Sequence, residues 1–215
     1  SNGSITTFRF PVTMNQGWHV PSYTPLINPS ETLLRLESWG AQIDYIYLYF
    51  DDYSRYLQNL SITANQLIRA DLVITWNSGM LAKPAAMDLS RITSSWSENL
   101  TSAPSTEGVS SVGEILSTII PQSTYTLNAT AIVTQHLNGS ADYGFQIKRN
   151  SGSTEREEGT TKGAPRFISR MAPEQNLRPY LEVVVDTSRP KYPAPSFAPS
   201  GLNINPGTGS VTVSW

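Results

Sequence analysis

Residues 44–51 carry the pattern that most restricts how this chain can fold. Between Asp44 and Asp51, the side chains of Ile46, Leu48 and Phe50 alternate with those of Tyr45, Tyr47 and Tyr49. Successive side chains of an extended strand point to opposite faces. A helix would instead scatter these six residues around its circumference. Both faces are large, so the spacing predicts a central strand covered, at least in part, on both sides. Residues 68–76 repeat the signal, with Ala70, Leu72, Ile74 and Trp76 alternating with Asp71, Val73 and Thr75. Two such strands cannot bury their apolar faces alone and require a second layer.

Shorter extended stretches are expected at 33–36, 86–92, 144–148, 166–169 and 180–185. The last is rich in β-branched residues and sets Leu181, Val183 and Val185 on one face. Two stretches read as helices. Residues 109–120 place Val112, Ile115, Leu116 and Ile119 at helical spacing, and Pro121 stops the run. Residues 128–137 open on Asn128, a good N-cap, and close at Asn138 and Gly139. Both are short, which suits crossings over a sandwich rather than a helical layer. The expected fold is all-β: a jelly-roll-like antiparallel β-sandwich with one or two short helices.

Composition agrees and removes whole classes of function. Charged residues make up 15% of the chain, against about a quarter in an average soluble domain. Ser, Thr and Asn replace them, and 15 Pro and 14 Gly supply turns. Net charge is −2 with no block of one sign, so no nucleic-acid footprint is present. The absence of Cys excludes disulfides, thiolate chemistry and Cys-ligated zinc. No apolar run reaches the roughly 18 residues of a membrane span. The opening Ser1-Asn2-Gly3 reads as a tag remnant on an internal segment of a longer precursor, so the lack of a signal peptide is uninformative.

Three regions are expected. Residues 1–188 form the sandwich. Residues 189–199 read as an extended linker, with Pro190, Pro193 and Pro195 unable to donate. Residues 200–215, with Gly201-Leu202 and the alternating Val211, Val213 and Trp215, resemble the first strands of a fibronectin type III domain. So short a piece has no two-sheet core of its own. It is expected to pack on the main domain or on a neighbouring molecule.

From about Thr32 to Asp186 the pieces resemble, in order, the DNRLRE family of carbohydrate-binding-module-like sandwiches, found in secreted polysaccharide lyases and disaggregatase-related surface proteins. The matching pieces are Leu33-Leu34-Arg35-Leu36, the apolar strand ending in Phe50-Asp51, and Ala70-Asp71-Leu72. They continue with Trp96-Ser97-Glu98, Leu127-Asn128-Ala129-Thr130, and the closing stretches Phe167-Ile168-Ser169 and Tyr180-Leu181-Glu182-Val183. Asn128 stands where the family usually has Asp. The resemblance implies a non-catalytic module that binds a polysaccharide of the cell envelope or matrix, outside the cell, beside other domains of the same chain.

The aromatic residues are the chemical feature that fits. Tyr45, Tyr47 and Tyr49 stand at strand spacing, where a sugar ring can stack and phenol hydroxyls can reach its hydroxyls. The competing reading packs that face under the crossing helices. Trp18 and Trp39, beside Gly17 and Gly40, read with His19 as rim-loop residues, either sugar platforms or core caps. Trp96 and Glu98 read as a structural turn whose carboxylate accepts the turn's own amides. No cofactor is required. Asp51 and Asp52, at a strand end, are the candidate ligands for a structural calcium. Catalysis finds little support: His19 and His136 are isolated in sequence, and there is no Gly-x-Ser-x-Gly elbow. A spacer or adhesion domain without a sugar site is the leading alternative, and a lyase or hydrolase the second.

Overall fold

The computed structural model describes residues 4–20, 24–25, 32–36, 38–39, 42–78, 85–115, 122–149 and 165–192. In chain order these form β1 (Ile5–Pro11), β2 (Met14–Val20), β3 (Thr24–Pro25), β4 (Leu33–Arg35), β5 (Ser38–Trp39) and β6 (Gln42–Tyr49). Helix α1 (Tyr53–Asn59) leads to β7 (Leu67–Ser78), β8 (Ala85–Ile92), β9 (Thr106–Ile115) and β10 (Thr124–Asn128). Helix α2 (Thr130–Leu137) then precedes β11 (Phe145–Arg149), β12 (Arg166–Ile168) and β13 (Tyr180–Asp186). One-turn 3₁₀ segments sit at Ala64–Gln66 and Gln175–Leu177.

Two antiparallel sheets face each other, one of them curled. One runs β1-β13-β7-β12-β4, with β10 also on β7. The other runs β3-β2-β6-β11-β8-β9, with β5 also on β6. The expected antiparallel sandwich with short helices is thus the fold of this chain. Alternation does the work: Ile46, Leu48 and Phe50 from β6 and its end meet Leu72, Ile74 and Trp76 from β7 in one core. Leu181, Val183 and Val185 of β13 and Phe145 and Ile147 of β11 complete it. Trp76 and Phe167 pack edge to face, 5.5 Å between centroids.

The helices close one end of the sandwich. Asp52, with φ 44°, turns the chain from β6 into α1, whose Tyr53, Ser54 and Leu57 are buried. Helix α2 starts one residue later than Asn128 as N-cap would place it. The Asn128 side-chain oxygen still accepts the Thr130 amide at 2.9 Å. Thr130 Oγ1 in turn accepts the Ala70 amide, tying α2 to β7.

The helix expected at 109–120 is corrected over its described part. Residues 109–115 belong to β9, paired with β8. The cause is bulging: ten residues of β9 run against eight of β8, and the register shifts twice. Each extra residue breaks the period of two and leaves Val112 and Ile115 at a spacing that imitates a helix. Residues 116–120 lie outside the described residues. Trp18, His19 and Trp39 are likewise in strands, not loops. Gly17 is buried in mid-strand opposite Ile46 rather than marking a turn.

Candidate functional site

Three places bear on function. The first is the outer face of the seven-stranded sheet, where the tyrosine row lies. Trp18 stands opposite Tyr45, and Tyr47 sits between Gln16 and Gln146 in neighbouring strands. Residues 93–105, between β8 and β9, fold across this face. Trp96 brings its ring to 5.8 Å from that of Tyr47 and donates its indole N–H to the Tyr143 carbonyl at 2.7 Å. Trp18, Tyr47 and Ile92 of the sheet make a second apolar cluster with Leu100 of this cover. Trp18 is 1% exposed and Tyr47 fully buried, so neither ring has a face open to a sugar. Tyr45 stacks on Tyr47 at 6.3 Å and 11°, and is half-buried like Tyr49. The side chain of Trp39 lies outside the described residues.

Glu98 fastens the covering loop. Its Oε1 accepts the Asn15 amide at 2.9 Å and the Arg170 Nε at 2.6 Å. Its Oε2 accepts the second arm of the Arg170 guanidinium at 2.5 Å. Asn15 Oδ1 accepts the Arg170 amide at 2.7 Å. The carboxylate therefore bridges β2 and the segment after β12, rather than accepting amides of its own turn. Burial pushes the Glu98 carboxyl up. The Arg170 guanidinium and the Asn15 amide outweigh that and hold it below the usual carboxylate range. Replacing Glu98 by Ala should destabilise the fold by about 1.5–3 kcal/mol at neutral pH, the cost of stranding a charged partner and an amide. Because the folded-state pKa is depressed, this contribution is present above the ordinary Glu value and fades as pH falls through the folded one. Urea midpoints of Glu98→Ala and the parent should therefore converge in acid. A constant gap would show that the ion pair is not its source.

The second place is the helical end. The Tyr53 hydroxyl bonds to His136 Nδ1, and Asp142 Oδ1 lies 3.7 Å from that nitrogen. Asp142 accepts the Ser54 hydroxyl at 3.3 Å and the Gly144 amide at 3.0 Å. A tyrosine, a histidine and an acid are a set that acid–base chemistry uses. Here Tyr53 is fully buried and His136 is 1% exposed. They join α1, α2 and the entry to β11. Asp51 and Asp52 are exposed at the neighbouring turn. Among the described residues, no three carboxylate or imidazole side chains converge on one point.

The third place is a cleft of about 450 Å³ between the first 3₁₀ turn, the end of α2 and the chain leaving β13. Thr63, Ala64, Asn65, Thr134, Leu137, Asn138, Lys191 and Tyr192 line it. Tyr192 is 77% exposed, the most open large hydrophobic residue among those described. Thr63 Oγ1 donates to the Lys191 carbonyl at 2.6 Å, and Asn65 Nδ2 to the Pro190 carbonyl at 2.5 Å. Sequence reasoning missed this site because Tyr192 falls in the stretch that reads as a linker. A lone aromatic in a Pro-rich run was the available signal.

No protein-family model matches the chain, and no curated protein matches it.

Proposed function

We propose that this chain is a non-catalytic carbohydrate-binding module of a secreted or cell-surface protein, and that its binding site is the Tyr192 cleft. The reading rests on one observation: an open polar cleft with a single, largely solvent-exposed aromatic ring at its edge. That combination suits a sugar, whose ring stacks on an aromatic face while its hydroxyls take polar partners. Asn138 offers an amide and Lys191 an ammonium, neither bonded among the described residues. Composition and the ordered likeness to the DNRLRE modules support the same reading, in which the fold alone decides nothing.

The covered aromatic row favours a second reading, a spacer or adhesion domain without a sugar site. Trp18 and Tyr47 then serve only to seal the loop over the sheet. A glycan array followed by titration calorimetry separates the two. The binding reading expects at least one polysaccharide to bind, and Tyr192→Ala to weaken it about tenfold, or 1.4 kcal/mol. Tyr45→Ala should leave that affinity within about twofold. Undiminished binding by Tyr192→Ala would remove the cleft from the proposal, and no binding at all would leave the spacer.

A further inference from the structure

Two of the eight residues that line this cleft, its aromatic ring included, lie on the chain that follows β13. Lys191 and Tyr192 form one wall, and the opposite wall belongs to the 3₁₀ turn and α2. Thr187 still bonds to the Ser4 carbonyl, through its amide at 3.3 Å and its hydroxyl at 3.1 Å, and residues 188–192 have no ladder partner. They are held by side chains that donate to their carbonyls. Thr63 reaches Lys191 and Asn65 reaches Pro190, as above, while Gln66 Nε2 reaches the carbonyls of Arg189 at 3.3 Å and Thr187 at 3.5 Å. Arg189 answers with a bond to the Leu67 carbonyl at 3.2 Å. Gln66 is 3% exposed, and its Oε1 also accepts the Thr63 amide, so the donor is held in place before the strap arrives.

We infer that occupancy of the cleft and docking of the 187–192 strap are coupled, so that a bound glycan holds the strap against the first 3₁₀ turn. This rests on the carbohydrate-binding reading of the same cleft. The argument is linkage. A ligand that touches both walls binds the docked strap and cannot bind an undocked one equally well. It therefore favours docking, and loosening the strap must weaken the ligand. If the docked fraction falls to about one tenth, the apparent affinity falls about tenfold.

Trypsin reads the strap directly, because Lys191 precedes Tyr192 and is exposed. The full chain would be digested alone and with xylan, laminarin or polygalacturonate, one at a time, following the fragment ending at Lys191 by mass. The double variant Gln66→Ala/Arg189→Ala changes no cleft-lining side chain but removes the acceptor of the Thr63 amide, so Arg189→Ala alone, which leaves that bond intact, is measured beside it. Without glycan the double variant should be cut at Lys191 at least tenfold faster than the parent. In the parent, a polysaccharide that binds should slow that cut at least tenfold, and the variant should bind it about tenfold more weakly. Arg189→Ala alone, at a side chain 46% exposed, gives the same comparison in smaller measure should the double variant fail to fold. Equal cleavage of parent and variant without glycan would show that these bonds do not hold the strap. Binding without protection at Lys191, or equal binding by parent and variant, would overturn the coupling while leaving the carbohydrate reading intact. If none of the three binds the parent, the carbohydrate reading fails and takes the coupling with it.

Discussion

Gly144→Ala should cost about 3–5 kcal/mol of stability, because backbone strain and a steric collision fall on the same residue. Gly144 has φ +93°, a conformation that L side chains rarely adopt. An added Cβ would collide with the Leu48 carbonyl oxygen and lie 3.2 Å from the Leu48 carbonyl carbon and 3.3 Å from Tyr49 Cα. All three are backbone atoms of β6, so no side chain can swing aside. The Gly144 carbonyl also accepts the Ile92 amide at 3.0 Å, and its own amide binds Asp142. Relief would have to part β11 from β6 or break those bonds. Gly139→Ala is the control. Its φ is +98°, but the new methyl meets nothing within 4 Å, so backbone strain alone remains, about 1–2 kcal/mol. Urea denaturation of the two variants isolates the collision. A Gly144→Ala loss within about 1 kcal/mol of the Gly139→Ala loss would mean that β11 does not approach β6 this closely.

The same residues show why part of the molecule is legible in its sequence and part is not. β6 pairs without a register shift and β7 bulges only outside residues 69–76, so in both the alternating stretch that faces the shared core survives intact. β9 is poorer in apolar residues and richer in Gly and Ser, and its two register shifts fall inside the stretch where a reader counts the period. The tyrosine row was visible as a row. Its covering was not, because the burial of Trp18 and Tyr47 depends on residues 93–105 folding back and on Arg170 holding Glu98 from 72 positions away. Trp96 and Glu98 stood out as a structural unit, yet Asn15 and Arg170 as its partners had no local signature. Tyr192 is the extreme case. Its ring gains a role only because Thr63 and Asn65 catch the backbone of Lys191 and Pro190 across more than 120 residues. Local pattern reports faces and turns, and contacts of that span leave no periodicity to read.

Between pH 4 and pH 6 the parent protein should show little pH dependence from its helical end, and single variants there should uncover two opposed slopes. Burial, with Arg91's charge adding to it, lowers the His136 pKa to about 4. Burial raises the Asp142 carboxyl to about 6, against the Gly144 and Ser54 hydrogen bonds, with Asp52's charge adding to the rise. A histidine depressed on folding leaves the unfolded chain holding more protons between about 4 and its ordinary value, so its contribution makes stability rise with pH. An aspartate raised on folding leaves the folded chain holding more protons between its ordinary value and about 6, so its contribution makes stability fall with pH. Each shift spans roughly two pH units, or about 3 kcal/mol at most. The windows overlap, so in the parent the two nearly cancel. Asp142→Asn keeps an oxygen for the Gly144 amide and removes the falling term. Its stability should climb by up to about 3 kcal/mol, relative to the parent, from pH 4 to 6. His136→Gln keeps an acceptor for the Tyr53 hydroxyl and removes the rising term, so its stability should fall by a similar amount over the same interval. The 3.7 Å spacing of His136 and Asp142 would also suit an ion pair. Two desolvated charges beside Arg91 make that the costlier state. An ion pair holds the same single proton between pH 4 and 6, and would show instead as a loss of parent stability as pH rises above the ordinary histidine value. Urea midpoints at pH 4, 5, 6 and 7, taken as differences between each variant and the parent, cancel the background of the other carboxylates. Two difference curves of opposite slope between pH 4 and 6 are the expected result, with the His136→Gln difference not rising from pH 6 to 7. Curves that rise or fall together, or a His136→Gln difference that rises from pH 6 to 7, would overturn the neutral-histidine arrangement.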